Sequence, residues 1–184
     1  MKIKITNQSD VSPLSLEEVK EHLRILHSED DNYITSLIAS AESMCTQITN
    51  RQLRRATIEL YHDTWKREIK LPRPPFVSVV SVQYQKDDDS WVGFSDYVLD
   101  EFSEPSAIYP NTFPTIKKGK NVLKVTYQAG YEDGKVPEQI RLWMKMKIAT
   151  WYENREEVVV GVSVAEISKN YVNNLLDSYR IVPI

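Results

Sequence analysis

Apolar positions recur with helical spacing between residues 29 and 49, and this is the cleanest pattern in the chain. At about 100° per residue, the apolar members fall within roughly 140° of a helical wheel. They are Tyr33, Ile34, Leu37, Ile38, Ala41, Met44, Cys45 and Ile48. The opposite face carries mostly small side chains, namely Thr35, Ser36, Ala39, Ser40, Ser43 and Thr46. Because small side chains let another backbone approach closely, this face is either a contact with a neighbouring subunit or an exposed serine-rich surface.

A shorter amphipathic helix precedes this one. Ser15 and Glu18 have the spacing of a capping box, in which each residue satisfies a free backbone N–H group of the other. The apolar side of the short helix is predicted to consist of Leu16, Val19, Leu23 and Leu26. Together the two segments predict a helical pair over residues 15–50, with Asn50 as the stop.

The longest helix is predicted over residues 136–157. Pro137 suits its first position, where the missing N–H group would be unpaired in any case. One apolar strip contains Ile140, Trp143, Met144, Ile148 and Trp151, with Lys147 among them. A second, narrower strip contains Leu142, Met146 and Ala149. A helix against a single core needs one strip, so two strips predict either a helix buried on two sides within one subunit or a contact with another copy.

Residues 53–128 change to strand patterns. Alternating positions at 56–61 and a β-branched run at 77–84 contribute to about six short strands with short connections, which favours antiparallel pairing because parallel pairs need long crossovers. Residues 158–184 form a tail too apolar to remain in water, so it docks on its own chain or on a neighbour. The predicted fold class is α+β: a helical bundle of two N-terminal helices and one long C-terminal helix, an inserted antiparallel β lobe and an extended C-terminal tail, all in a single domain of residues 1–184.

Composition and charge exclude several classes of protein. There are 23 Lys and Arg against 26 Asp and Glu, a net charge of −3, which argues against a protein whose main task is to hold nucleic acid. No apolar run approaches the ~20 residues of a membrane span, and the N-terminal segment lacks the apolar core of a signal peptide. The single cysteine, Cys45, fits a reducing compartment. We therefore expect a protein made in a cytoplasm, without a membrane partner.

Candidate chemistry is sparse. The three histidines, His22, His27 and His62, lack the spacing of a metal site, and no phosphate-binding glycine loop or nucleophile elbow occurs. We therefore predict no enzyme, no catalytic residue, no bound metal and no cofactor. Two basic clusters are either possible DNA contacts or solvated patches balanced by nearby acids. They are Arg51, Arg54 and Arg55, and Lys117, Lys118, Lys120 and Lys124.

Three stretches, taken in order, resemble the head–tail connector proteins of long-tailed phages and prophages, also called adaptor or head-completion proteins. The first comprises LSLEEVKEHLR (14–24), DDNYITSLIASAE (30–42) and TNRQL (49–53). The second is LPRPPFVSV (71–79). The third comprises YQAGY (127–131), VPEQIR (136–141), WYENRE (151–156) and the late YRI (179–181). Each motif is weak alone, but their order over nearly the whole chain is fairly specific.

The resemblance implies a structural virion protein at the head–tail junction, made in the cytoplasm of a bacterial host. It implies a homo-oligomeric ring, expected to be dodecameric, which binds the portal protein, extends the DNA channel without reading sequence, completes the head and receives a tail or further head-completion protein. The alternative is a DNA-packaging or DNA-binding accessory protein that uses the basic clusters. Candidate subunit or portal contacts are Trp143, Met144, Met146, Trp151, Tyr152, Tyr171, Leu175, Leu176, Tyr179 and Arg180.

Overall fold

The computed structural model of the chain describes residues 1–155 and 174–181. Its contacts divide it into two compact units. The first, which we call the β unit, comprises Met1–Asp10, Asn50–Glu132 and Ile181–Ile184. The second, the helical unit, comprises Val11–Thr49 and Asp133–Arg180. The α+β class is therefore as predicted.

The first helix of the helical unit, α1, spans Leu16–Leu23. Its predicted capping box is confirmed: Glu18 N donates to Ser15 Oγ at 3.2 Å, and Ser15 N donates to Glu18 Oε2 at 3.1 Å. The helix ends at Arg24, which adopts a left-handed conformation with φ of 59°. This early end is why the predicted inward position of Leu26 is wrong, since that side chain is fully exposed.

The second helix, α2, spans Asp31–Thr49. The middle of its predicted apolar face is buried, at Ile34, Leu37, Ile38, Ala41 and Cys45. Tyr33 and Ile48 are half-buried and Met44 is 37% exposed, and the small-residue face is largely exposed. Asn50 ends the helix with a positive φ of 55°, which a left-handed cap requires. At 19 residues α2 is longer than the 16-residue α3, so the prediction that the C-terminal helix is the longest is wrong.

The third helix, α3, spans Glu138–Glu153, and Asn154 is its C-cap. The first predicted strip is the buried one, since Ile140, Trp143, Met144 and Ile148 are all fully enclosed. In the second strip Leu142 is 36% exposed, and Met146 and Ala149 are partly exposed. Helix α3 therefore uses one strip for the core and leaves the other partly open to solvent.

The β unit has eight strands in the described part of the chain. They are β1 (Lys2–Gln8), β2 (Ala56–His62), β3 (Ile69–Lys70), β4 (Phe76–Gln85), β5 (Trp91–Gly93), β6 (Tyr97–Asp100), β7 (Ala107–Pro110) and β8 (Leu123–Ala129). A five-stranded sheet has the order β1-β2-β8-β4-β5, and a three-stranded sheet has the order β3-β7-β6. All pairs of these strands are antiparallel, as predicted.

The core of the β unit lies between the inward side chains of both sheets. In β2 and β8 buried and half-buried residues alternate, because successive side chains point to opposite faces. Tyr127 is enclosed within this core, and its hydroxyl donates to Pro72 O at 2.5 Å. Gly130 follows β8 with φ of 105°, and a Cβ there would lie 2.2 Å from Arg54 O, so only glycine fits this turn.

The described part of the C-terminal tail is short. A 3₁₀ turn, Asp177–Tyr179, follows Leu176, which is fully buried. Most of the predicted tail, including Tyr171, lies outside the described residues.

Candidate interaction surfaces

The C-terminal end of α3 is joined to the start of α2 by an aromatic and charged cluster. The Tyr152 hydroxyl donates to Asp30 Oδ2, and Arg155 Nη2 donates to Asp30 Oδ1 at 3.3 Å. The Arg155 guanidinium carbon lies 4.6 Å from the centre of the Tyr33 ring and 5.3 Å from that of Tyr152. Cations over aromatic faces are attracted by the ring quadrupole, so this cluster fixes the end of α3.

Titration behaviour in the cluster follows from these contacts. The hydrogen bond from Tyr152 is the main reason that the pKa of Asp30 is lowered, and the charge of Arg155 acts in the same direction. The same hydrogen bond raises the pKa of Tyr152. Asp30 is therefore held as a carboxylate, which stabilises the cluster above the usual pKa of an aspartate.

A second charged cluster joins α1 to α3. Arg141 Nη2 donates to Glu18 Oε1, and Lys145 Nζ lies 4.0 Å from the same oxygen. Burial raises the pKa of Glu18, but hydrogen bonds from Ser15 N–H and from Arg141 outweigh it, so the net shift is downward. Glu18 thus caps α1 and binds α3 at once, two functions of which the sequence predicted only the first.

The predicted contact residues of α3 lie in different environments. Trp143 and Met144 are fully enclosed in the core of their own chain, so they are not on a surface that a partner could reach. Met146, Trp151 and Tyr152 are partly exposed. These three and Leu142 are therefore large apolar or aromatic side chains of α3 that another molecule could reach.

The predicted contact residues of the tail lie mostly against the helical unit. Leu176 is fully buried, and the Tyr179 hydroxyl donates to Gln139 Oε1 at 2.7 Å. Leu175 is partly exposed, and Arg180 is exposed with an ion pair to Asp177 at 3.3 Å. Of the predicted tail contacts that the structure describes, Arg180 is therefore exposed and Leu175 partly exposed to a partner.

Arg51, one of the possible DNA contacts, is engaged within the β unit. Its side chain is 7% exposed, and both terminal nitrogens donate to Glu104, at 2.7 and 2.6 Å. Burial alone would lower the pKa of Arg51, but the bonds to Glu104 outweigh it and raise the pKa. This bidentate pair connects two residues 53 positions apart in sequence, so no local pattern could reveal it.

The other two arginines of that cluster are also engaged within the β unit. Arg54 Nη1 donates to the backbone oxygen of Asp10 at 3.3 Å, and Arg55 lies 3.6 Å from Glu132. Both side chains therefore have structural partners beside the N-terminal strand and the loop after β8. Their role as DNA contacts stays a prediction.

The lysine cluster is more open. Lys117 forms an ion pair with Asp89, whereas Lys118 and Lys120 are exposed and make no ion pair within the described ranges. Lys124 Nζ lies 5.2 Å from the centre of the Trp91 ring. The cluster therefore presents positive charge beside an exposed indole, and its approach to DNA stays a prediction.

Sequence reasoning missed an exposed aromatic residue in the hairpin between β6 and β7. Phe102 is 100% exposed, although a large apolar side chain gains free energy from burial. Val98 and Tyr109, which pair with each other across β6 and β7, are also exposed, at 57% and 38%. The acidic sequence DEFSEPS at 100–106 was the available signal, because it places one aromatic residue among turn-forming residues.

Across residues 1–155 and 174–181, no group of three or more His, Cys, Asp or Glu side chains could hold a metal ion. Cys45 is buried, and burial raises the pKa of its thiol to about 12, so it is a small core side chain as predicted. None of the helices in these ranges has the length and apolarity that a bilayer span requires.

Comparison with protein families gives a match over nearly the whole chain. The model of the family described as head completion protein matches residues 13–182. No curated protein sequence matches the chain.

Solved structures resemble the chain in fold. A chain from the neck of an empty gene transfer agent (GTA) particle, computed with C6 symmetry, has a TM-score of 0.79 at 18% identity, covering 100% of this chain and 97% of that one. A chain from the virion of a native GTA particle has a TM-score of 0.78 at 18% identity with the same coverage. A third, from the neck of a native GTA particle computed with C12 symmetry, has a TM-score of 0.73 at 17% identity, covering 98% and 97%.

Proposed function

The chain belongs to the head completion protein family, and from this premise we propose that it is a structural virion protein at the junction between head and tail. The observation that carries the proposal is the family match over residues 13–182. The fold is also similar over the full chain to chains from GTA particles, including one from a particle neck. A structural role, without catalysis, agrees with both.

We further propose that copies of the chain form a ring, dodecameric in the virion, between the portal and the tail. A repeated head-to-tail contact closes into a ring when the rotation per step divides the circle. The neck structures that share this fold were computed with C6 and C12 symmetry. In this chain the exposed strip of α3 and the small-residue face of α2 supply surfaces for such contacts.

The ring would extend the DNA channel without reading sequence. The net charge of −3 supports this, because a conduit for DNA should not hold phosphate groups tightly. The contacts to neighbours would come from the accessible residues of α3 and the tail. These are Met146, Trp151, Tyr152, Leu175 and Arg180.

The alternative function is a DNA-packaging or DNA-binding accessory protein. Exposed Lys118 and Lys120 favour it, whereas the internal pairing of Arg51 disfavours it. A gel shift at low and moderate salt separates the two functions. Tight binding that weakens steeply with salt would support the accessory role, and the connector predicts weak binding at most.

The proposed function is tested by removing the chain from cells that assemble the particle. We expect DNA-filled heads that lack tails, because the surface between portal and tail would be missing. Cryo-electron microscopy of particles restored with the wild-type chain should place it between portal and tail. Tailed, infectious or gene-transferring particles without the chain would contradict the proposal.

A further inference from the structure

We infer that the hairpin loop of residues 101–106 on one copy binds the basic corner of the next copy, with Phe102 as the aromatic anchor. The basic corner is defined as Trp91, Lys118, Lys120 and Lys124. The inference rests on the proposed ring and names the contact that would build it.

Phe102 is held in solvent by a defined loop. Its own N–H and that of Ser103 donate to Asp100 Oδ1 at 3.0 and 3.1 Å, and Ser103 Oγ donates to Asp100 Oδ2 at 2.5 Å. These bonds to Asp100 lower the pKa of its carboxyl group, so it stays an acceptor at neutral pH. The side chain of Phe102 is nevertheless 100% exposed.

The other half of the loop is fastened to the body of the β unit. Glu104 forms the bidentate pair with buried Arg51, and Leu71 N donates to Ser106 O at 2.8 Å. A loop fixed at both ends loses little conformational entropy when it binds, which favours affinity. Aromatic anchors of this kind commonly dominate protein interfaces.

The side chains next to Phe102 carry negative charge that a binding partner could contact. Glu101 is exposed and makes no ion pair in the part of the chain that the structure describes. Asp100 adds a second carboxylate beside it. The loop therefore presents one aromatic ring next to acidic groups, and its partner should offer apolar surface next to basic groups.

The basic corner has that composition. Trp91 is 40% exposed, Lys124 lies over its ring, and Lys118 and Lys120 add exposed positive charge. The neighbouring hairpin carries Asp87, Asp88 and Asp89, but Asp89 is paired with Lys117 and Asp88 accepts hydrogen bonds from Ser90. Asp87 and Asp88 keep their negative charges on this hairpin, and Lys118, Lys120 and Lys124 outnumber them.

The two surfaces lie at opposite ends of the β unit. Glu104 binds Arg51, and the N–H of the next residue, Gln52, donates to Pro74 O just before β4 begins. Lys117 N donates to Gln85 O, at the last residue of β4. Strand β4 has ten residues, roughly 30 Å at about 3.3 Å per residue.

The distance between the hairpin loop and the basic corner suits a contact that repeats around a ring. A surface and its complement on opposite ends of one molecule cannot meet within that molecule, so each copy binds the next. Such heterologous contacts generate rings or filaments. The partner that the loop binds is therefore a second copy of the chain.

Disulfide trapping tests the contact directly. A chain that carries both Glu101→Cys and Lys120→Cys is assembled at high concentration or in particles and then oxidised. A disulfide requires Cα atoms within about 7 Å, so these two positions can only react between copies. We expect a ladder of covalent multimers, whereas each single-cysteine variant should give none, and the buried native Cys45 should not contribute.

The outcomes separate this inference from the proposed function. Rings that assemble without the ladder would overturn the loop contact and leave the connector function standing. Absence of any ring, alone or with the portal, would overturn both. Normal rings combined with lost DNA binding in Lys118→Glu/Lys120→Glu would assign the corner to DNA and overturn the contact.

A second set of variants measures the strength of the contact. Phe102→Ala should weaken assembly at least about tenfold, as for an interface hot spot, with no loss of thermal stability. Leu26→Ala is the matched control, because Leu26 is equally exposed but lies in the helical unit. Glu101→Lys and Lys120→Glu should each weaken assembly, and the combination should restore it. Unchanged assembly of Phe102→Ala would contradict the proposed anchor.

Discussion

His62 shows how one enclosed residue makes the stability of the β unit depend on pH. It is 4% exposed at the end of β2. Burial lowers its pKa to about 4, and the charges of Lys66 and the N-terminus act in the same direction against Asp63. The ring is therefore neutral in the folded protein at pH values where it is protonated in the unfolded chain.

Proton linkage gives the direction in which the free energy of unfolding changes with pH. Between the unfolded pKa of about 6.5 and the folded value, the unfolded chain binds a proton that the folded chain does not, so acid favours unfolding. We expect the free energy of unfolding to fall by roughly 3 kcal/mol as the pH drops through this window. His62→Gln should remove much of that slope in urea titrations at pH 4 to 7, whereas exposed His22→Gln should not. An unchanged slope in His62→Gln would contradict this account.

The pair of Arg51 and Glu104 makes a second prediction at the residue scale. Arg51→Ala removes a buried cation and leaves the loop carrying Phe102 without one attachment. We expect a loss of about 1–2 kcal/mol, discounted because Glu104 is partly exposed to solvent. Urea denaturation measures it, and Glu101→Ala is the matched control because Glu101 is exposed and unpaired. Equal stability of the two variants would refute a structural role for Arg51.

Single residues also show the limit of sequence reasoning. The capping box of Ser15 and Glu18 could be predicted because its partners are three positions apart. The pairing of Arg51 with Glu104 could not, since the fold brings those residues together over a long separation. A free arginine and a paired one look identical in sequence, so the pattern left Arg51 open as a possible DNA contact or as part of a patch balanced by acids.

At the scale of elements, strong periodicity correctly predicted which segments form helices and which form strands. The apolar face of α2 and the antiparallel strands β2, β4 and β8 appear where their patterns lie. Strand β3 was missed because it has two residues, too few for a pattern. The place of the N-terminal segment as the edge strand β1 depends on long-range pairing with β2, which no local pattern shows.

The second strip of α3 gives a prediction about assembly. Leu142 is 36% exposed and Met146 partly exposed, so a charge at either position should leave the folded chain intact. If the strip contacts another copy or the portal, Leu142→Glu and Met146→Glu should reduce incorporation into particles at least about tenfold, because a buried unpaired charge is costly. Thermal melts check the fold, and immunoblots of purified particles measure incorporation.

A control variant and two alternative outcomes complete the test of the α3 strip. Thr150→Glu is the control, since Thr150 is an exposed polar residue of the same helix. Normal incorporation of both strip variants would show that the exposed strip is ordinary surface. Unfolding of both would show that it belongs to the core of the chain.

At the scale of the whole molecule, the fold and the family agree. The chain combines a three-helix unit and a β unit, and its fold matches GTA neck and virion chains over nearly their full length. The sequence predicted the family from several weak motifs in a fixed order, which a single motif could not have done. Which surfaces meet in an assembly could not be predicted, because interfaces depend on the exposure of residues such as Phe102.

The most direct test of the ring is the mass and shape of the assembled chain. The wild-type chain should be measured by native mass spectrometry and electron microscopy at high concentration, with and without its portal protein. We expect a closed ring, dodecameric on the portal, with the chain between portal and tail. A chain that stays monomeric in both conditions and does not bind the portal would contradict the account.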